Sequence, residues 1–305
     1  MGCGCGTQRT FDTKTNRKSK FTFPKCISTY SASKPVLCMI PVDINRVLLG
    51  IENEIKLLDI SSIAPSTLFT EHKGKVNFLL QIKNNIFASA SQDRTIKIWD
   101  MNVPQSKMTL VGHTSMIWCL LLLDDGRIVS GADDRKIILW DTKEGKQECV
   151  LYEGNHSIFA LYQLKNGTVI SSSGDGKLRL WNIKSKKVEK EIMTENGGAW
   201  CIIEIDDGSV ITGMGNGDIF IWDLEEEKIL YKLQAHKKTI NCLLYIDGGR
   251  FVSGSDESDM IMWNVNDISS KYILKGHRRM VTGLSKIDDI RFTSCSLDGT
   301  IKLWE

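Results

Sequence analysis

Short apolar, β-prone runs separated by polar turns cover nearly the whole chain. Between residues 66 and 99 they fall at Ser66–Glu71, Val76–Leu80, Ile86–Ala90 and Ile96–Trp99, with Lys73-Gly74, Asn84-Asn85 and Asp93-Arg94 between them. Runs of this length, broken by turn residues, predict strands. No apolar run approaches the ~18 residues of a membrane-spanning helix. The longest, Ile117 to Leu123, is strand-sized.

The strands recur on a fixed ruler. Trp99, Trp140, Trp181, Trp222, Trp263 and Trp304 are each 41 residues apart, and one further step back lands on Leu58. The residues that follow are Asp59, Asp100, Asp141, Asn182, Asp223, Asn264 and Glu305. Seven units of 41 account for 287 of the 305 residues and leave 18 at the N-terminus. Length alone would predict about two domains of ~150 residues; the period replaces them with one repeat array. A unit of four short strands cannot bury both faces alone, so neighbours must pack on it, and radial closure protects the edges.

The signature Gly112-His113, Ser130-Gly131-Ala132-Asp133-Asp134, Trp140-Asp141, echoed by Gly276-His277, Asp298 and Trp304, resembles the WD-repeat family over residues 19–305. The resemblance implies an all-β fold, a seven-bladed propeller. It also implies a hydrogen-bonded tetrad of His, Ser, Asp and Trp in each complete blade. By position these are His72, Ser89, Asp93, Trp99; His113, Ser130, Asp134, Trp140; His236, Ser253, Glu257, Trp263; and His277, Ser294, Asp298, Trp304. Glu257 departs from the pattern. In the fourth unit His156 falls two residues late, beside Ser171, Asp175 and Trp181. The fifth has only Thr212, Asn216 and Trp222, and the first has Ser31, Leu48, Glu52 and Leu58. Satisfied polar groups tie a turn down, so blades 1 and 5 are expected to be the less rigid. The last unit stops after its third strand. The repeat then assigns the missing outer strand to about residues 25–29, which close the ring.

The ruler also assigns most reactive side chains. All five histidines fall at or near the blade junction, leaving none for acid–base chemistry or a metal. The pairs Asp124-Asp125, Asp206-Asp207 and Asp288-Asp289 recur every 82 residues, and with Lys165-Asn166-Gly167 and Asp247-Gly248-Gly249 they mark hairpin turns. Gly213-Met214-Gly215-Asn216-Gly217 is followed by no helix that could cradle phosphate. Cys119, Cys201 and Cys242 share one column with Phe78, Ala160 and Gly283, where Cys serves as a compact apolar side chain. Cys26, Cys38, Cys149 and Cys295 lack metal-like spacing. The expectation is a non-enzymatic protein with no cofactor and no metal.

Aligning the units with one another singles out one variable column: Val36, Asn77, Trp118, Phe159, Trp200, Asn241 and Thr282. A position that accepts Asn and Thr is not obligatory core, so its aromatics are expected to be partly exposed. In WD-repeat proteins this site lies on the top rim of the central channel. Trp118, Phe159 and Trp200 are then expected to form an arc over blades 3 to 5, and aromatics at a concave rim make good anchors for partners. Asn77, Asn241, Gln92, Asp133 and Asp256 join them on that face, predicting a groove for a peptide with one apolar and one basic residue. Filling of the channel mouth without any ligand is the alternative.

Residues 1–18 are expected to be a flexible, lipidated basic tail, and residues 19–305 the propeller. The chain begins Met1-Gly2-Cys3-Gly4-Cys5-Gly6-Thr7. Loss of Met1 would expose Gly2 to myristoylation, although Gly6 stands where Ser or Thr is usual. One myristoyl chain binds at only about 10⁴ M⁻¹, and a second signal is needed. Thioesters on Cys3 and Cys5 would supply one; Arg9, Lys14, Arg17, Lys18 and Lys20 would add about 1 kcal/mol each near anionic lipid.

Composition adds little. With 39 Lys+Arg against 37 Asp+Glu, the net charge of +2 gives no field for nucleic acid, so no nucleic-acid partner is expected. Nine cysteines, an odd number, and no signal peptide fit a reducing cytosol. The reading is a scaffold that holds protein or peptide partners on its top face and is tethered to the cytoplasmic side of a membrane. It is expected to be a monomeric propeller within a complex. The competing expectation is a subunit of a large assembly without lipid: a ubiquitin-ligase receptor, a G-protein β-like subunit or an axonemal one. The 18-residue extension has no heptads for a partner helix and no room for an F-box.

Overall fold

The computed structural model describes residues 24–60 and 65–305. Gly2, Cys3, Cys5 and the basic residues up to Lys20 lie outside the described residues. Twenty-eight strands, β1 to β28 in chain order, form seven antiparallel sheets of four among the described residues. The protein is a seven-bladed β-propeller, as the period predicts. Inner strands of successive blades touch all the way round, with β26 (Val281–Lys286) against β2 (Val36–Pro41).

Burial follows position in the blade. Second strands such as Ile128–Ala132 and Val210–Met214 are buried at every residue, which is why they read as short runs of apolar and small side chains. Outer strands such as Val103–Val111 are mostly exposed. Between them, Trp99, Trp263 and Trp304 stack on cross-strand Phe87, Phe251 and Phe292 at 6.1–6.2 Å.

The ring is closed by β1 (Cys26–Ser31), which pairs with β28 (Thr300–Trp304) outside β27 (Phe292–Ser296). The strand lies up to two residues later than the repeat places it. The repeat takes the five residues Lys271–Lys275 as template, whereas the closing strand has six residues and a register shift between Cys26 and Ser28. Lys25 and Glu305 exchange backbone hydrogen bonds of 2.8 and 3.1 Å, and the Tyr30 hydroxyl donates to the Ile60 carbonyl at 2.5 Å.

Blade 1 departs from the ruler by one residue. Val36 pairs with Ile51 as Val76 pairs with Ser91, a spacing of 40, because Ile51 and Glu54 flank a two-residue turn where blade 2 uses three residues. Glu52 takes a positive φ of 53° there. Two sequence assignments change: Leu37, not Val36, belongs to the rim column, and Leu49, not Leu48, stands at the serine position. Val36 is fully buried.

The slip also brings Cys38 into the column of Cys119, Cys201 and Cys242. Each of these thiols lies across from a glycine, namely Gly50, Gly131, Gly213 and Gly254. A Cβ on any of those glycines would meet the facing sulfur at 2.4–2.8 Å. Blade 7 inverts the pair, with Gly283 opposite Cys295. Burial pushes the Cys119 and Cys295 thiols up to about 12, so these are packing groups.

The alternating strand directions put the first and third hairpin turns of each blade on one face, the bottom, and the second turn and the interblade loops on the top. β1 enters from the bottom. There Asp125, Asp207 and Asp288 accept the backbone N–H two residues on, at 2.8–3.1 Å, and so cap the hairpins.

Candidate partner-binding face

Four blades build the same buried relay at the top edge. In blade 2, Trp99 Nε1 donates to Ser89 at 2.8 Å, Ser89 meets His72 Nε2 at 2.6 Å, and His72 Nδ1 meets Asp93 at 2.7 Å. The chain of donors fixes the tautomer: the serine hydroxyl donates to Nε2, leaving Nδ1–H for a carboxylate. His113 lies between Ser130 and Asp134 at 2.6 and 2.8 Å, with Trp140 donating to Ser130. His277 lies between Ser294 and Asp298 at 2.7 and 3.1 Å, with Trp304 donating to Ser294. His236 reaches Ser253 and Glu257 at 2.9 and 3.1 Å, with Trp263 on Ser253. The longer Glu257 side chain is 31% exposed, against 4–11% for the three aspartates.

Burial pulls His236 and His277 below the usual histidine range, against the opposing pull of Glu257 and Asp298. For Asp298, burial alone would raise the carboxyl, but hydrogen bonds from the Thr300 hydroxyl and the Arg278 and Thr300 backbones bring it to about 2. A neutral imidazole donating to an ionised carboxylate satisfies both directions.

Blades 4 and 5 fill the same space from the third strand, a substitution the sequence reading missed. In blade 4, His156 is exposed and takes no part. Buried Arg179 donates to Asp175 at 2.5 Å, to Ser173 at 2.9 Å and to Glu191 at 2.8 Å, and lies 4.7 Å over the Tyr152 ring. Burial alone would raise Asp175; the Arg179 and Ser173 bonds bring it down to about 2. In blade 5, fully buried Phe220 packs edge-on against Trp222 at 5.7 Å. Trp222 donates to Thr212 at 2.8 Å, and Asn216 bonds Asp218.

Nearer the channel, the rim column has two kinds of member. Asn77, Asn241 and Thr282 donate to the first-strand carbonyls of the next blade, Ile117, Val281 and Val36, at 3.0, 3.2 and 2.8 Å. These residues sew blades together. The aromatic members instead meet one another. Phe159 stacks on Trp200 at 4.4 Å with 8° between planes, and Trp118 meets Trp200 edge-on at 6.1 Å. They form one cluster, more compact than the arc the spacing predicts. The cause lies one column away, where Gly174 and Gly215 replace the side chains of Gln92, Asp133 and Asp256, so the rings settle onto bare backbone. All three rings keep partial exposure, while the Trp118 indole nitrogen is buried with no hydrogen-bond partner among the described residues.

A family model for the WDR41 β-propeller matches residues 63–269, and one for the WD domain, G-beta repeat, matches residues 268–305. The chain belongs to the WDR41 β-propeller family. No curated protein matches it. WD-repeat propellers generally bind proteins and serve as scaffolds rather than catalysts.

In this WDR41-family propeller the carboxylates expected to face a partner are already engaged. Asp133 accepts from Ser157 at 2.5 Å and Asp256 from Asn241 at 2.9 Å. Gln92 is exposed and donates to Asn77 at 3.4 Å. Among the described residues no group of three His, Cys, Asp or Glu gathers as metal ligands.

Proposed function

We propose that this protein is a non-enzymatic scaffold that seats a protein or peptide partner on the aromatic cluster of its top face. The observation that carries the reading is the cluster of three partly exposed rings, with Phe159 stacked on Trp200 and Trp118 edge-on to it. Apolar partner atoms gain area on Phe159 and Trp200 at little entropic cost. Trp118→Ala/Trp200→Ala should keep the thermal melt of the full chain within a few degrees and lose most partners in a pull-down. Retention of every partner by the folded variant would overturn the proposal.

The second element is a membrane tether. Gly2, Cys3 and Cys5 stand in the order used by dually acylated proteins, with a basic stretch behind them. The propeller would then act at the cytoplasmic side of a membrane, as one monomeric member of a complex. Gly2→Ala and Cys3→Ser/Cys5→Ser should each shift the protein from the membrane fraction to the soluble one. Unchanged partitioning, or an unacylated intact mass, would leave the non-lipidated assembly subunit as the better reading.

A further inference from the structure

We infer that the top face selects an acidic partner segment, held by a basic sector that ring closure assembles from blades 6, 7, 1 and 2. This inference rests on the top-face reading above and adds the sign of the partner's charge. Lys237 and Lys238 belong to the interblade loop of blade 6, Arg278 and Arg279 to that of blade 7, Lys34 to blade 1, and Lys73 and Lys75 to blade 2. All are exposed, as is Arg94 on the adjoining turn. Residues 34 and 278 are remote in sequence, but the strands they lead into, β2 and β26, pack on each other at the ring closure, so their loops belong to adjacent blades.

The buried relays present these cations. The acid of each relay also accepts the backbone N–H of the residue after its histidine: Lys73 at 2.9 Å, Lys237 at 3.2 Å and Arg278 at 2.8 Å. In each case the relay pins the backbone and spends the nearest carboxylate, leaving the cationic side chain unopposed. Blade 3 pins Thr114 in the same way and adds one exposed cation, Arg135, in the column of Arg94; blades 4 and 5 place Asn155 and Asn196 nearby, so the opposite half of the face carries the aromatic cluster and fewer unpaired cations.

Other acids on the basic half are engaged too. Glu52 pairs with Lys34 at 3.0 Å, Glu71 holds Ser106 and Lys97, and Asp256 holds Asn241; Asp259 is the acid left over. The side chains of Lys73, Lys75, Arg94, Lys237, Lys238 and Arg278 make no ion pair or hydrogen bond among the described residues. Arg94 also has a φ of 73° in a column where blades 4, 5 and 7 place glycine, Gly176, Gly217 and Gly299. An arginine there holds a backbone conformation that costs side-chain-bearing residues free energy, and gives in return one more cation on the face. The unpaired side chains of the sector are all donors, and partly exposed rings lie across the same face, so the complementary ligand is an acceptor-rich chain: Asp and Glu around one apolar residue. The protein's own basic tail has the wrong sign to cover it.

The test is fluorescence anisotropy of the full chain with a labelled Asp/Glu peptide carrying one central Leu, against its Asn/Gln counterpart. The acidic peptide should bind at least about tenfold tighter, and that margin should shrink as salt shortens the screening length. Lys237→Glu/Arg278→Glu should cost about tenfold or more, while Lys184→Glu/Lys187→Glu on the bottom edge leaves binding unchanged. Equal affinity for the two peptides, or indifference to the top-face charge reversal, overturns the inference. Binding of phosphatidylserine vesicles through the same cations, with no competition by the acidic peptide, overturns it as well and makes the sector a membrane contact. If the acidic peptide fails but Trp118→Ala/Trp200→Ala still strips partners, the charge assignment falls while the top-face reading stands.

Discussion

Blades 3 and 5 share the register of their inner three strands, yet they solve one buried position in different ways. Blade 3 carries a four-residue relay from Trp140 to Asp134 through Ser130 and His113. Blade 5 retains only the Trp222–Thr212 bond and inserts Phe220 where the imidazole would sit. Blade 4 is a third solution, with Arg179 as both filler and counter-ion for Asp175. The difference teaches that the fold demands a filled volume and a partner for the tryptophan N–H, while the rest of the relay is exchangeable. Exchange has a consequence above it. Where a relay is complete, its acid pins the next loop residue; where it is replaced, in blades 4 and 5, Gly174 and Gly215 leave bare backbone beside Phe159 and Trp200.

The largest expected effect comes from emptying the substituted site. Phe220→Ala should destabilise by about 3–5 kcal/mol in denaturant melts, as for other buried aromatic truncations. His113→Ala, which removes the imidazole between Ser130 and Asp134, should cost about 1–3 kcal/mol. If His113→Ala cost more than Phe220→Ala, the polar relay and not the filled volume would be the dominant requirement. Grafting blade 3 chemistry onto blade 4 sharpens the point: Tyr152→Val/Gly154→His/Arg179→Ile should stay within about 1 kcal/mol of the parent, because each introduced residue meets the neighbours it has in blade 3.

Acid separates the two kinds of blade more gently. His236 and His277 are held neutral by burial, so the unfolded chain takes up protons first as pH falls below about 6.5. Their contribution, fully present above that pH, should fade as pH falls below it, and His277→Gln should remove part of the step. A second loss, from Asp175 and Asp298, should begin below about pH 4, the unfolded value, and finish near their folded values of about 2. The smallest effect is expected from Glu257→Asp, which should tighten the blade 6 relay and raise stability by about 0.5 kcal/mol.

The seven blades, their four strands and the closing strand were legible because one tryptophan per 41 residues marks the same buried corner each time. A single deleted turn residue in blade 1 was not, since Leu, Val and Ile on both sides make a one-residue slip invisible to an apolar template. Nor were Arg179 and Phe220, although a signal existed. Their column reads Lys97, Ile138, Arg179, Phe220, Ile261 and Lys302, and its residues enlarge or change character where the histidine is lost. The expectation of a looser blade 5 considered hydrogen bonds alone; Phe220 brings apolar packing to the same spot, and amide exchange in Val210–Met214 as slow as in Ile128–Ala132 would show that it compensates. The rim column was found, but its polar members proved to be stitches between blades, because a strand's side-chain register does not reveal which carbonyl of the next blade it will reach.

The closing strand has a mechanical meaning. β1 lies antiparallel to β28 and enters from the bottom face, so tension on the segment before Lys25, with a partner gripping the top, would run along the strand axis. Its hydrogen bonds, from the Lys25–Glu305 pair up to Ser31 opposite Thr300, would then be strained together in shear instead of opening one after another. A propeller anchored this way would resist pulling on its tail far better than a peeled edge strand would.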